Sequence, residues 1–320
     1  MKRVLVTGAH GFIGRHCLRI LAEKGYEVHA VSRQCIAEAS SPGAQWHECD
    51  LLKPGCPSQL IGEVCPDAVL HLAWCTEHGK FWQSEENVEW VRASLELLSS
   101  FTKNGGKRFV AAGSCAEYDR HSGECVENST PLLPASLYGS CKRAMFQILE
   151  AWSLQTRLEF AWGRVFHLYG PYEHPDRIVA YVIRSLLAGT PAVCSDGGQT
   201  LDFLHVEDVA SAFVRLLESG VSGPVNIGSG KPSLLRDVLL EIGQQMSHSE
   251  LVHLGVRRGN SDPDRIWANT IRLRKEAGWR PSRTLEAGLQ QTIEWWSAQN
   301  SNANPSPECV PKQPRSTPNT

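Results

Sequence analysis

Residues Arg3-Val4-Leu5-Val6-Thr7-Gly8-Ala9-His10-Gly11-Phe12-Ile13-Gly14 decide the fold of this 320-residue chain. A short apolar run is followed by three glycines spaced Gly-x-x-Gly-x-x-Gly, and then by the amphipathic stretch Ile13–Lys24. That order reads as strand, tight turn, helix. The glycines permit the turn and let backbone N–H groups approach a pyrophosphate, whose charge the helix N-terminus stabilises. Gly8, Gly11, Phe12, Ile13 and Gly14 are therefore placed against a dinucleotide.

Outward from this loop, short apolar runs alternate with helical stretches. Strands are expected at Arg3–Val6, Glu27–Val31, near Trp46–Cys49, and at Ala68–Leu72, Arg108–Ala112 and Glu159–Val165; helices at Ile13–Lys24, Asn87–Lys103 and Leu137–Leu154. This is the pattern of an α/β fold, a doubly wound parallel sheet of the Rossmann type. After Gly163 the segments become shorter and richer in Gly and Pro, which reads as a smaller C-terminal substrate-binding lobe across the carboxyl ends of the strands. The expected division is 1–165 for the nucleotide-binding domain and 166–296 for the lobe, some of whose elements, such as Val225–Gly228, return to one of the two. Residues 297–320 are nearly devoid of apolar side chains and are expected to be disordered.

Composition narrows the partners. A net charge of -2 gives no reason to expect nucleic acid or an anionic membrane, and no apolar run approaches the ~20 residues that span a bilayer. The chain enters a strand directly at Arg3, so no secretory leader is read and the expected location is cytoplasmic. Eleven cysteines and twelve histidines are scattered without metal-ligand spacing, so reduced thiols and no metal are expected.

The end of the second strand bears on the dinucleotide. A carboxylate there would bind ribose hydroxyls and repel a 2′-phosphate. The chain instead has Ser32-Arg33, a hydroxyl and a guanidinium that can pair with phosphate, so NADP(H) is expected rather than NAD. Asp50 and Leu51, after the third strand, are placed at the adenine.

Chemistry is carried by Tyr138-Gly139-Ser140-Cys141-Lys142 with Ser114 upstream. Tyr138 and Lys142, four apart on one helix, share a face. Lowering a phenol from its ordinary pKa near ~10 to ~7 takes about 4 kcal/mol, which an adjacent ammonium and a positive nicotinamide ring supply by proximity. Tyr138 is then the general acid or base, and Ser114 stabilises the reacting oxygen.

These motifs, with His71-Leu72-Ala73, Arg164 to Pro171, Asp202 to Ala210, Asn226 to Gly230 and Leu273 to Pro281, resemble the extended short-chain dehydrogenase/reductase (NAD-dependent epimerase/dehydratase) family from Lys2 to Trp296. The resemblance implies a nucleotide-sugar substrate, Leu72, Ala73 and Trp74 beside the cofactor, and a homodimer formed through Asn87–Lys103 and Leu137–Leu154. It also implies that His167 takes the place of an Asn that touches the substrate phosphates, and that Leu201 replaces an Arg that reaches them; Arg177, Arg257 and Arg258 are the compensating candidates. Trp74, Trp82, Cys115 and Glu117 are further candidates around the sugar, with core packing the equal alternative for either tryptophan and a turn cap the alternative for Glu117.

The family's 4,6-dehydratases carry an acid two positions beyond the Ser/Thr, often preceded by Asp. This chain has Cys115 and Ala116 there, which argues against dehydration. The run Gly113-Ser114-Cys115-Ala116-Glu117-Tyr118 resembles that of 4-keto-6-deoxyhexose reductases. The expected activity is NADPH-dependent reduction of a nucleotide-linked 4-keto-6-deoxyhexose, with an NAD-retaining nucleotide-sugar 4-epimerase, a small-carbonyl reductase and a non-catalytic NADP sensor as alternatives.

Overall fold

The computed structural model describes residues 2–34, 43–255 and 265–303. The first part runs β1 (Arg3–Thr7), α1 (Gly14–Glu23), β2 (Glu27–Ser32), β3 (Ala44–Glu48), α2 (Cys56–Val64), β4 (Ala68–His71), α3 (Glu86–Lys103), β5 (Arg108–Ser114) and β6 (Gly123–Cys125). It continues through α4 (Leu137–Thr156), β7 (Glu159–Val165), β8 (His167–Tyr169), α5 (Ile178–Leu187), β9 (Ala192–Val193), β10 (Thr200–His205), α6 (Val206–Glu218) and β11 (Gly223–Ile227). The remainder is β12 (Pro232–Leu234), α7 (Leu235–Gln245), β13 (Val252–His253), β14 (Arg265–Ala268), α8 (Ile271–Lys275) and α9 (Leu285–Ala303).

Seven strands form the main sheet in the order β11-β7-β5-β4-β1-β2-β3, all neighbours parallel. Because successive side chains of a strand point to opposite faces, β1 feeds two cores. Val4 and Val6 pack with Cys17, Leu18 and Leu21 of α1 and with Val209 and Phe213 of α6. Leu5 packs on the other face with Leu60 and Ile61 of α2 and Leu97 and Leu98 of α3. A sheet buried on both faces needs this continuous apolar reading, with no polar alternation.

The chain leaves β1 for β2 and β3 on one side, then returns to place β4 on the other. The crevice at that reversal is where open α/β sheets bind ligands. It holds the glycine loop after β1 and Leu72-Ala73 after β4.

A second sheet, β12-β10-β14-β6 with β8 beside β10, lies in the smaller layer with α5, α7 and α9. The chain crosses between layers more than once. β6 joins the second sheet although it precedes β7, while α6 and β11 return to the main sheet. The tail departs from expectation in part: α9 continues through Ala303, and residues 304–320 lie outside those described. Among the described residues no helix is long and apolar enough to cross a membrane.

Candidate active site

Close backbone contacts dictate the glycine loop. Gly8 has φ +66, and a Cβ on it would lie 2.7 Å from the Ala73 nitrogen. One on Gly14 would lie 2.2 Å from the Gly8 oxygen. Gly11 donates its N–H to that oxygen at 2.9 Å. The loop is tied across the crevice: the Thr7 hydroxyl accepts from Ala73 N–H at 3.2 Å and shares a hydrogen bond of 2.7 Å with His71 Nδ1. Burial pushes His71 down to about 3, so this imidazole is neutral. The cradle at the start of α1 fits a dinucleotide pyrophosphate. Gly14→Ala has only backbone to push against, and overpacking of this kind costs ~1–3 kcal/mol. Dinucleotide affinity is expected to fall roughly tenfold or more, measurable by fluorescence titration of the purified protein.

At the far end of the crevice, α4 starts at Leu137 because the Ser136 hydroxyl caps it, accepting from Gly139 N–H at 3.1 Å. Cys141, Met145, Phe146 and Leu149 are buried along one face, which turns Tyr138 and Lys142 toward the end of β5. Lys142 is 4 % exposed. Its ammonium donates to the Ala112 carbonyl at 2.8 Å and lies 3.7 Å from the centre of the Trp74 ring. Burial pushes it down to about 7, opposed by the charge of Glu117. Burial pushes the Tyr138 phenol up, while its hydrogen-bond partner Ser114 and the guanidinium of Arg177 draw it down. Without a cofactor the phenol therefore rests protonated.

Phe81 and Trp82 close on Tyr138 edge-to-face at 4.9 and 5.7 Å, and Tyr138 N–H donates to the Trp82 carbonyl. Trp82 was legible as a pocket candidate and Phe81 was not, though both stand in the same loop beyond β4. Cys115 is half-buried and its thiol is pushed up to about 12. His167 is pushed down to about 4 by burial and by Arg177, and its Nδ1 has no hydrogen-bond partner among the described residues. Arg177 pairs with Glu173 at 3.3 Å. Glu173 had no place in the sequence reading, yet it is buried, has one oxygen without a partner among the described residues, and is pushed up to about 8. Its signal was the four-residue spacing to Arg177.

Several expectations change. Glu117 does not face substrate. It is fully buried, with Oε2 2.8 Å from Arg164 Nε and Oε1 accepting from Ser114 N–H at 2.8 Å and from Trp162 Nε1 at 2.9 Å. Trp74 is also buried, its N–H committed to Asn87 at 2.8 Å, so it supports Lys142 instead of lining a sugar pocket. Asp50 stays exposed beyond β3 and also caps its own turn through Leu52 N–H at 3.2 Å, which is compatible with an adenine contact; Leu51 is core. Leu201 is core too. Arg257 and Arg258 lie outside the described residues.

The chain matches the model of the NAD dependent epimerase/dehydratase family over residues 4–228 and belongs to that family. It is accordingly an enzyme of the extended short-chain dehydrogenase/reductase type. It is 26% identical over 332 residues to a dTDP-glucose 4,6-dehydratase of Neisseria gonorrhoeae, covering 92% of this chain and 95% of that protein. Among solved structures it is similar to the UDP-glucose 4-epimerase of Thermus thermophilus in complex with NAD, with TM-score 0.81 and 25% identity over 92% of this chain and 98% of that one. It is also similar to MoeE5 in complex with UDP-glucuronic acid and NAD, with TM-score 0.81 and 28% identity over 93% and 99%.

Two expectations are overturned by these relatives. They are dehydratases and epimerases, so the 4-keto-6-deoxyhexose reductase is withdrawn. The run that suggested it, Gly113 to Tyr118, is explained by burial of its Glu-Tyr pair in the core. NADP(H) is withdrawn as well, because the solved relatives are complexes with NAD. The Ser32 hydroxyl accepts from Gln34 N–H at 3.4 Å, and Arg33 is an exposed charge at the strand end.

Proposed function

We propose that this enzyme is an NAD-retaining nucleotide-sugar 4-epimerase. The observation that carries the reading is the meeting of Ser114, Tyr138 and Lys142 at one point of the crevice, beside positions 115 and 116 that offer no carboxylic acid. Those groups suit removal and return of hydrogen at one alcohol carbon. They do not suit elimination of water, which needs an acid near the leaving hydroxyl.

NAD, when bound, supplies the hydride acceptor and later the donor. Gly8, Gly11 and Gly14 would hold its pyrophosphate and Lys142 its ribose end. Tyr138, deprotonated once a positive charge stands nearby, takes the proton of the sugar hydroxyl, and Ser114 hydrogen-bonds the same oxygen through both states. Arg177, whose charge acts on both Tyr138 and His167, would take the diphosphate together with His167. With NAD held there, Tyr138 and Ser114 would serve the same oxygen whichever face of the carbon receives hydrogen, so the carbon would invert without net consumption of cofactor.

The test is to release and quantify NAD from one portion of the gently purified protein and to incubate another, untreated portion with UDP-glucose, UDP-glucuronic acid and dTDP-glucose, following products by NMR. The expected result is bound NAD and a C4 epimer of one sugar with no added cofactor. A 4-keto-6-deoxy product would assign it to the dehydratases instead, and absence of bound NAD would defeat the retained-cofactor mechanism.

A further inference from the structure

Beneath Ser114 the fold buries a complete ion pair, Glu117 with Arg164, both 0% exposed. Taking two charges out of water costs several kcal/mol per ion, and such a pair is weak evidence of stability for its own sake. The carboxylate is engaged on the catalytic side. It accepts the Ser114 N–H, while the Ser114 hydroxyl accepts from Ala116 N–H at 3.2 Å, a reciprocal cap on the single turn Cys115–Glu117. Room is made by Gly113, where a Cβ would lie 2.2 Å from Trp162 Nε1 and 2.6 Å from Glu117 Oε1. Arg164 is held among Tyr118, Phe146 and the Glu127 carbonyl.

We infer that Glu117 is a positioning residue of the hydride-transfer site, fixing the Ser114 backbone and supplying the negative charge that keeps the buried Lys142 ammonium ionised. This rests on the assignment of chemistry to Ser114, Tyr138 and Lys142. The groups facing Lys142 single out Glu117. From β4 comes His71, which is neutral; from its own helix comes Tyr138, whose phenol rests protonated; Trp74 and Trp162 offer only ring faces. Glu117 accepts from Trp162 Nε1 at 2.9 Å and the Lys142 ammonium lies 6.0 Å from the centre of that ring, so among the described residues Glu117 is the carboxylate that stands near Lys142 and opposes the effect of burial on it. An uncharged Lys142 could not acidify Tyr138, so the reach of the carboxylate extends to the reacting proton through two side chains.

The experiment is a pH titration of Lys142 by NMR in the full-length protein with 13Cε-labelled lysine, its signal assigned by loss in Lys142→Arg. In Glu117→Gln the midpoint is expected to fall by about one unit or more. In Arg164→Met, which leaves the carboxylate without its cation, it is expected to rise. General disturbance of packing would move both the same way. Opposite shifts support the inference; no shift, or a fall in both, overturns it. If one variant fails to accumulate as folded protein, the sign in the other decides. The titration uses no substrate, so a failed epimerase assay leaves it standing, and a flat titration leaves the epimerase assignment standing.

Discussion

Tyr138→Phe is expected to lower turnover by about a hundred- to ten-thousandfold, the range that a positioned proton donor contributes, while leaving the thermal midpoint and dinucleotide affinity near wild type. The reasons lie in what the hydroxyl touches. Its hydrogen-bond partner is the Ser114 hydroxyl, itself half-buried at the crevice, so removing one oxygen strands no core group. The ring keeps its edge-to-face contacts with Phe81 and Trp82. What disappears is the atom proposed to give and take the proton. The neighbours offer poor substitutes: the Cys115 thiol is pushed up to about 12, His167 down to about 4, and the Lys142 ammonium is committed to the Ala112 carbonyl. Steady-state turnover with a sugar nucleotide found active, alongside dinucleotide titration of the same preparation, checks the point. Turnover within tenfold of wild type would show that another group carries the proton.

The parts of this architecture that depend on local pattern were legible. A β-branched run before Gly8, apolar spacing in Ile13–Lys24 and the interval from Tyr138 to Lys142 each specify an element or a face through neighbours a few residues apart. What was not legible depends on distant partners. Glu117 and Arg164 were both visible, but their sequence separation of 47 residues hides that β5 and β7 are adjacent strands and share a register. The acidic residue three positions past Ser114 read as a sugar contact or a turn cap; the cap is what forms, and nothing local says that a guanidinium waits beneath it. Trp74 read equally as pocket lining or core packing, and Asn87 and Lys142 claim it. Cofactor choice failed for a related reason: Ser32-Arg33 describes the charge at a strand end but not whether that charge turns inward, and in the fold it is exposed.

The second large effect is on stability. Arg164→Met is expected to cost about 3–5 kcal/mol, the loss measured when one member of a buried pair is removed. Glu117 would keep its charge with no cation, and Tyr118 and the Glu127 carbonyl would lose donors at 3.1 and 3.3 Å. For a fold worth ~5–15 kcal/mol in total, that is a large share, visible as a fall of roughly 5–15 °C in the thermal midpoint. Methionine fills much of the same volume between Tyr118 and Phe146, so the loss reports charge more than cavity. The double variant Glu117→Gln/Arg164→Met should recover part of it. Gln still accepts from Ser114 N–H and Trp162 Nε1 while removing the orphaned charge, and residues in contact are expected to couple by ~0.5–3 kcal/mol. Denaturant melts of the four proteins complete the cycle. If Arg164→Met melts like wild type, the carboxylate is neutralised or hydrated there, and Glu117 could not then serve as a fixed charge beside Lys142. A large loss relieved in the double variant would instead show that the fold bears the burial of this pair, with the carboxylate kept ionised next to the Ser114 end of β5.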